Sequence, residues 1–253
     1  MKAMIFAAGL GTRLKPLTDT MPKALVNVHG KPLISHVIDS LADAGFDDFV
    51  VNVHHFPQMI KDYLSEHYAS KYKLAVSDEQ ACLLETGGGI LKAEALLKEG
   101  KPAAEPFLVH NVDILSNVRF NELISQWRDD AMALLLVSDR KTSRYLLFDD
   151  DMRMVGWTNI ETGEIRSPYP GLNPDNCHKY AFSGIHLVSD SIFSVMRETG
   201  MPERFPIMDF YLKAAALHPV YGALQEDLKL VDAGKVDALE KLESQADILS
   251  QLP

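Results

Sequence analysis

In the first half of the chain, short apolar runs alternate with segments whose apolar residues recur every three or four positions. Ala3–Ala8 predicts a buried strand. Pro32–Ala44 predicts a helix: Leu33, Val37, Leu41 and Ala44 share a face, Pro32 suits the first turn and Gly45 the end. A strand at Phe49–Val53, a helix at Pro57–Tyr68 with Ile60 and Leu64 inward, and a strand at Leu74–Ser77 come next. The same rhythm gives a helix over Gly88–Lys98, a strand over Phe107–Val112, a helix over Asn121–Arg128 and a buried strand over Ala133–Val137. Alternation of this kind predicts an α/β protein with a mostly parallel central sheet and helices on both faces.

After that the pattern changes. Arg144–Ile165 holds short stretches broken by turns such as Asp149-Asp150-Asp151 and Thr162-Gly163-Glu164, so a hairpin-rich sub-region is expected at about 140–180 within a single domain spanning 1–253. Ser167–Cys177, rich in Pro, Gly and Asn, reads as a loop. Tyr180–Leu187 reads as a strand returning to the main sheet, Phe205–Leu217 as a helix, Leu228–Val231 as a short strand and Lys235–Leu249 as an amphipathic helix.

Composition narrows the classes. The chain has 253 residues, 47% hydrophobic and 24% charged, enough for a sizeable core. Its formal net charge of -10 argues against a non-specific nucleic-acid binder, which needs a basic surface. The cysteines Cys82 and Cys177 are too few for a disulfide scaffold and lack metal-ligand spacing. The first apolar run is strand-length and meets a glycine loop at once, unlike a signal peptide, and no run reaches the roughly 18 residues of a membrane helix. A cytoplasmic protein without membrane contact is the expectation; a homo-oligomer stays open.

The first strand runs into Ala7-Ala8-Gly9-Leu10-Gly11-Thr12-Arg13-Leu14, then Pro16-Leu17-Thr18, then Pro22-Lys23-Ala24-Leu25. Gly9 and Gly11 let backbone N–H groups approach phosphate oxygens. Thr12 adds a hydroxyl, Arg13 a planar fork matched to phosphate, and Lys23 a point charge. The third glycine of a dinucleotide fingerprint is missing and Pro16 interrupts, and no Gly-Lys-Ser/Thr closes a Walker loop.

Ala7 to Thr18, Pro22-Lys23-Ala24-Leu25 and Gly30-Lys31-Pro32 resemble the signature A-A-G-x-G-T-R-L-x-P-L-T, P-K-x-L, G-K-P of the sugar-1-phosphate nucleotidyltransferases. The resemblance implies the Rossmann-like nucleotide-diphospho-sugar transferase fold, with a nucleoside triphosphate and a sugar 1-phosphate as substrates. On that pattern Ala7, Ala8, Gly9, Gly11 and Thr12 would bind the nucleotide. Thr86, Gly87 and Gly88, in Glu85-Thr86-Gly87-Gly88-Gly89-Ile90, would lie beside the nucleobase and ribose. Asn111, Ser183 and Gly184 would face the sugar. Asp113 and Asp232, in Asn111-Val112-Asp113 and Val231-Asp232-Ala233-Gly234, would hold Mg²⁺. Val112 stands where the family usually has glycine. A Glu-Lys-Pro element common in hexose-1-phosphate members is missing, with Gly156-Trp157-Thr158-Asn159 in its neighbourhood. The glycine-rich Glu85–Ile90 loop and trimmed C-terminus most resemble short members acting on N-acetylmuramate 1-phosphate.

The implied reaction is in-line attack of a sugar-phosphate oxygen on the α-phosphorus, with pyrophosphate leaving. A phosphate monoester is already anionic near neutral pH, its second pKa being about 6, so no general base is required. The barrier is repulsion between anions, which positioning and fixed charge overcome. Arg13 is expected at the β- and γ-phosphates and Lys23 at the α-phosphate. UTP with an N-acetylmuramate-like acceptor is the first expectation. GTP with mannose 1-phosphate comes second, and CTP with a phosphocholine acceptor further back. A non-catalytic nucleotide-binding module and a nicotinamide dehydrogenase are the competing classes. The second lacks both the third glycine and an acidic residue after the second strand. His54-His55 and Asp149-Asp150-Asp151 read as exposed loop and solvated turn.

Overall fold

The computed structural model describes residues 1–102 and 104–244. Its elements in order are β1 (Lys2–Phe6), β2 (Asn27–Val28), β3 (Lys31–Pro32), α1 (Leu33–Asp43), β4 (Asp48–Val53), α2 (Pro57–His67), β5 (Lys73–Asp78), α3 (Glu85–Lys92), α4 (Glu94–Lys98), β6 (Phe107–Asn111), β7 (Ile114–Ser116), α5 (Phe120–Ser125), β8 (Ala133–Ser138), β9 (Arg144–Phe148), β10 (Met154–Asn159), β11 (Glu164–Arg166), β12 (His178–Val188), α6 (Ile192–Glu198), α7 (Ile207–Ala214), β13 (Val220–Leu224), β14 (Leu230–Asp232) and α8 (Val236–Ser244).

The core sheet runs β5-β4-β1-β6-β12-β8-β13. The pairs β4–β5, β1–β4, β1–β6 and β8–β13 are parallel, and β12 runs antiparallel to both β6 and β8. Both faces are apolar because alternate side chains of each strand enter different cores. Ala3, Ile5, Phe49, Val51 and Leu108 join the cluster that holds α1 and α2, whereas Met4, Val50 and Val109 join the one that holds α6 and α7. Helix α1 docks through Leu33, Ile34, Val37, Ile38 and Leu41. It ends where Gly45 takes φ +95 and Phe46 N–H bonds the Leu41 carbonyl at 3.0 Å.

Long β12 joins two sheets. Its start, His178–Tyr180, pairs with β9, and its end, Ile185–Val188, pairs with β6. Strands β9, β10 and β11 form an antiparallel meander hung on that start, where the turn-broken pattern placed hairpins. Between Phe182 and His186 the register against β8 slips.

Several boundaries differ from expectation. The helix expected over Gly88–Lys98 begins earlier, at Glu85, and breaks at Ala93 into α3 and α4. The early start has a tertiary cause: the Phe205 carbonyl accepts from Gly87 N–H at 2.9 Å, so an end group of the helix is satisfied from another segment. Strands β7 and β13 and helix α6 have no strong pattern in the sequence; β7 is three residues long and β13 contains Gly222. Of the helix expected over Lys235–Leu249, Val236–Ser244 is present, and positions 245–249 lie outside the described residues. Among the described residues no helix is long and apolar enough to cross a membrane.

Candidate active site

Parallel strands β1 and β6 end side by side, Phe6 opposite Asn111, and the chain leaves both at the same edge. There a cleft of about 420 Å³ opens, lined among others by Phe6, Ala7, Ala8, Gly9, Lys23, Thr86, Asn111, Val112 and Asp113. Gly9 has open space at its α-carbon. Gly11 sits at φ +65, a conformation glycine adopts without strain, and a Cβ there would lie 2.7 Å from the Thr18 methyl. Its carbonyl accepts from Leu14 N–H and from the buried Thr18 hydroxyl, both at 2.8 Å, so the loop is folded back on itself. Thr12 and Arg13 are exposed beside it.

Asp113 and Asp232 come together through a two-stranded ladder. Strand β14 pairs antiparallel with β7, Asp232 opposite Ile114, and Ala233 N–H donates to the Asp113 carbonyl at 2.8 Å. The ladder thus puts both carboxylates in one neighbourhood, with Lys23 bonded to Asp113 and its charge acting on Asp232. The Lys23 ammonium donates to Asp113, and both side chains are mostly buried. Arg13 meets Asp232 at 3.5 Å, with 53% of the Arg13 side chain exposed. A pair so exposed contributes little to stability. Gly234 lies at the centre: a Cβ on it would stand 2.6 Å from Lys23 Nζ, 2.7 Å from Asp232 Oδ1 and 2.8 Å from Arg13 Nη2. Burial pushes the Asp232 carboxyl up, but the Gly234 amide, Arg13 and Lys23 outweigh it and hold the group below its ordinary value.

The cleft floor contains a pair that the sequence reading missed. Buried Asn52, on β4, accepts from Ala7 N–H at 2.8 Å and donates to buried Glu79 at 2.7 Å. The other Glu79 oxygen accepts from Leu84 N–H at 3.0 Å. These bonds fix the start of the glycine loop at Ala7. The only signal for them is polar residues at strand ends, Asn52 amid Val50, Val51 and Val53, and Glu79 just after β5. Arg140, just past β8, was also missed; its Nη2 donates to the Phe182 carbonyl at 3.0 Å.

Three expectations need correcting. Gly87 and Gly88 do not line the cleft, and their side-chain positions point at another segment: a Cβ on Gly87 would fall 2.2 Å from the Phe205 ring, and one on Gly88 2.4 Å from the Glu203 carbonyl. Their N–H groups donate to the Phe205 carbonyl at 2.9 and 3.3 Å, so these glycines seat α3 against the 203–206 segment. Thr86 does line the cleft, though its hydroxyl oxygen accepts from Ile207 N–H at 2.8 Å. Ser183 is buried, donating to the Leu136 carbonyl at 2.8 Å and accepting from Ile185 N–H at 3.3 Å. It closes the slip in β12 and has no hydroxyl to offer a sugar. Gly184, at φ +79, abuts the amide of cleft-lining Asn111, 2.7 Å from where its Cβ would be. His54 and His55 are half-buried, bonded to the carbonyls of Glu79 (2.7 Å) and Thr18 (3.1 Å). Asp149 behaves as a turn residue, accepting from the N–H groups of Asp151 and Arg153.

A glycine loop at the carboxyl edge of a parallel sheet, with two cations and two carboxylates converging beside a cleft, defines a protein built to receive a phosphorylated ligand. Residues 2–151 match the Nucleotidyl transferase family. Over 89% of this chain and 89% of its counterpart, the sequence is 32% identical to N-acetylmuramate alpha-1-phosphate uridylyltransferase of Caulobacter vibrioides. It is 46% identical to the enzyme of that name from Neisseria meningitidis serogroup B, over 47% of this chain and 50% of that one. The crystal structure of HddC from Yersinia pseudotuberculosis superposes with a TM-score of 0.75 over 97% of this chain and 99% of that one at 20% identity, a likeness of fold. The chain belongs to the nucleotidyl transferase family.

Proposed function

We propose that the protein transfers the uridylyl group of UTP to N-acetylmuramate 1-phosphate or a close analogue, releasing pyrophosphate. The convergence of Arg13, Lys23, Asp113 and Asp232 around Gly234, beside the cleft, carries the reaction class. Similarity over most of the chain to the Caulobacter vibrioides enzyme supports the choice of substrates.

The acceptor phosphate oxygen forms the new bond to the α-phosphorus as the bond to the β-phosphate oxygen breaks, and the electron pair departs with pyrophosphate. Lys23, held at the cleft wall, offsets charge at the α-phosphate. Arg13 exchanges its loose contact with Asp232 for the outer phosphates and steadies the leaving group. At an effective dielectric near 20, a unit charge about 4 Å away is worth about 4 kcal/mol, so each cation is a substantial part of the barrier reduction. The Asn52–Glu79 pair holds the loop at Ala7 in place, so the cations need not reorganise as charge moves.

Asp113 and Asp232 suit Mg²⁺. Among the described residues no third His, Cys, Asp or Glu joins them in a metal-binding group, and two carboxylates with phosphates and waters are what this ion takes. When bound, Mg²⁺ supplies positive charge between the two phosphorylated reactants.

The test is pyrophosphate release from UTP, GTP, CTP and dTTP, each offered N-acetylmuramate 1-phosphate, mannose 1-phosphate, glucose 1-phosphate and phosphocholine. Turnover highest with UTP and N-acetylmuramate 1-phosphate is the expected result. Preference for GTP with mannose 1-phosphate overturns the substrate assignment, and no release from any pair overturns the enzyme reading in favour of a binding module.

A further inference from the structure

Beyond the carboxyl end of β8, on the sheet edge where the cleft opens, stands a cation that no motif singled out. β8 ends at Ser138, opposite Ala181 of β12, and the chain then turns out through Asp139 and Arg140. The Arg140 guanidinium donates to the Phe182 carbonyl at 3.0 Å, where the β8–β12 register begins to slip. That slip contains Gly184, which abuts Asn111 on the cleft wall. Arg140 thus stands off the same sheet edge as Asn111 and Asp113, with only β12 between β8 and β6.

Its partnerships differ from those of the other two site cations. Lys23 and Arg13 each hold a carboxylate, Asp113 and Asp232 respectively. Arg140 bonds a neutral carbonyl and forms no ion pair among the described residues. Partial burial lowers its pKa and the charge of Asp232 raises it, so the guanidinium sits within the field of that carboxylate. A guanidinium stays protonated at any physiological pH, and one anchored donor leaves the remainder of its planar fork open.

We infer that Arg140 binds the phosphate of the sugar 1-phosphate, an assignment that rests on the transfer reaction proposed above. The nucleotide phosphates approach from the glycine loop after β1, where Arg13 and Lys23 stand. The acceptor is a second anion and must approach from the other side of the cleft, because in-line attack puts nucleophile and leaving group on opposite faces of the α-phosphorus. Arg140 is on that other side, with β12 and the meander. The Phe182 carbonyl fixes the fork in advance, which reduces the entropy lost when phosphate docks. It also ties the cation to the strand that contacts Asn111.

The experiment compares wild type, Arg140→Ala and Arg140→Lys with the best substrate pair from the panel above, measuring kcat and a KM for each substrate. Inorganic phosphate serves as competitor against the sugar phosphate. The expected result for Arg140→Ala is a KM for sugar phosphate at least ~10-fold higher, as for loss of a charged hydrogen bond, with the KM for UTP within about twofold. Inhibition by inorganic phosphate weakens to a similar degree, and Arg140→Lys falls between the two. Equal changes in both KM values mark Arg140 as a clip for the β12 slip and overturn the inference. So does an unchanged sugar-phosphate KM, and in both cases a working wild type leaves the transfer reaction standing. A wild type silent with every pair sinks the reaction itself, and the inference with it.

Discussion

Asp232 lies directly across the ladder from Ile114, the residue after Asp113, so two carboxylates from distant parts of the chain share one neighbourhood. Lys23 and Arg13 answer that concentration of negative charge from the other side. Removing any one of the four leaves the others unbalanced. Arg13→Ala and Asp113→Ala are each expected to lower turnover by roughly 10²-fold or more, the usual loss for one preorganised charge contact. Steady-state pyrophosphate release measures it, and near-normal turnover removes the residue from its role.

Gly234→Ala tests the compactness of the cluster. The added methyl group meets only the flexible ends of Lys23, Arg13 and Asp232, so the fold should survive with stability within about 1 kcal/mol. The charged groups, though, have to move apart by several tenths of an ångström or more. Displacements of about 1 Å cost up to 10²-fold in rate, so a fall of about 10-fold to 10²-fold is expected at unchanged urea midpoint. Wild-type kinetics in this variant would show that the atoms at Gly234 do not converge in the working enzyme.

Gly87→Ala separates packing from ligand contact. Phe205 is 2% exposed and has no room to swing from a new Cβ, so the variant is expected to lose about 1–3 kcal/mol. Chemical denaturation gives that number. If stability holds while the KM for nucleotide rises, Gly87 belongs to the base site after all.

Asn52→Leu strands two buried groups, the Ala7 N–H and the Glu79 carboxylate. Each unsatisfied partner costs about 1–3 kcal/mol, so a drop in stability should accompany weaker UTP binding. Calorimetric unfolding with and without UTP reads both effects, and a variant as stable as wild type contradicts the proposed anchoring.

His110 and His186 predict an acid limb in the stability curve. Burial holds His110 down to about 4; burial, followed by the nearby His110, holds His186 at about 3. Unfolded, each titrates near 6.5. As pH falls below about 6.5 the unfolded chain takes up protons that the native state refuses. Stability from this source is therefore full above that value and declines toward pH 4, by about 1.4 kcal/mol per pH unit per histidine. Neither ring nitrogen of His186 has a protein partner, so His186→Leu forfeits no such bond and should flatten the limb. Urea titrations at pH 7, 6 and 5 decide it; parallel slopes in variant and wild type refute the account.

Much of this architecture was legible because it is written locally. Apolar runs such as Phe49–Val53 and Ala133–Ser138 are buried on both faces and look like nothing but central strands. The position of the glycine loop was legible because a glycine turn directly after a buried strand leaves the sheet at its carboxyl edge, where Ala7, Ala8, Gly9 and Lys23 do line the cleft. What escaped was set by tertiary contact. Nothing local separates a glycine that faces a nucleotide from one that faces Phe205, and the Ser183 hydroxyl is consumed by a slip that exists only once β12 meets β8. Asn52, Glu79 and Arg140 were invisible for the same reason: each bonds a group brought to it from elsewhere in the chain, the Ala7 N–H, the Asn52 amide and the Phe182 carbonyl respectively.

The slip in β12 also has an engineering consequence. Upstream of it the strand belongs to the meander, and downstream it is locked between β6 and β8. The segment from β9 to the start of β12 is attached there and along a second seam, where Gly222 N–H of β13 donates to the Met152 carbonyl at 2.9 Å, Arg153 reaches the Ala215 and Ala216 carbonyls, and Arg166 pairs with Asp209 of α7. A graft spliced at Tyr180 therefore has to carry the partners of both seams, or it leaves the Gly222 N–H, the Ala215 and Ala216 carbonyls and Asp209 without the bonds they make here.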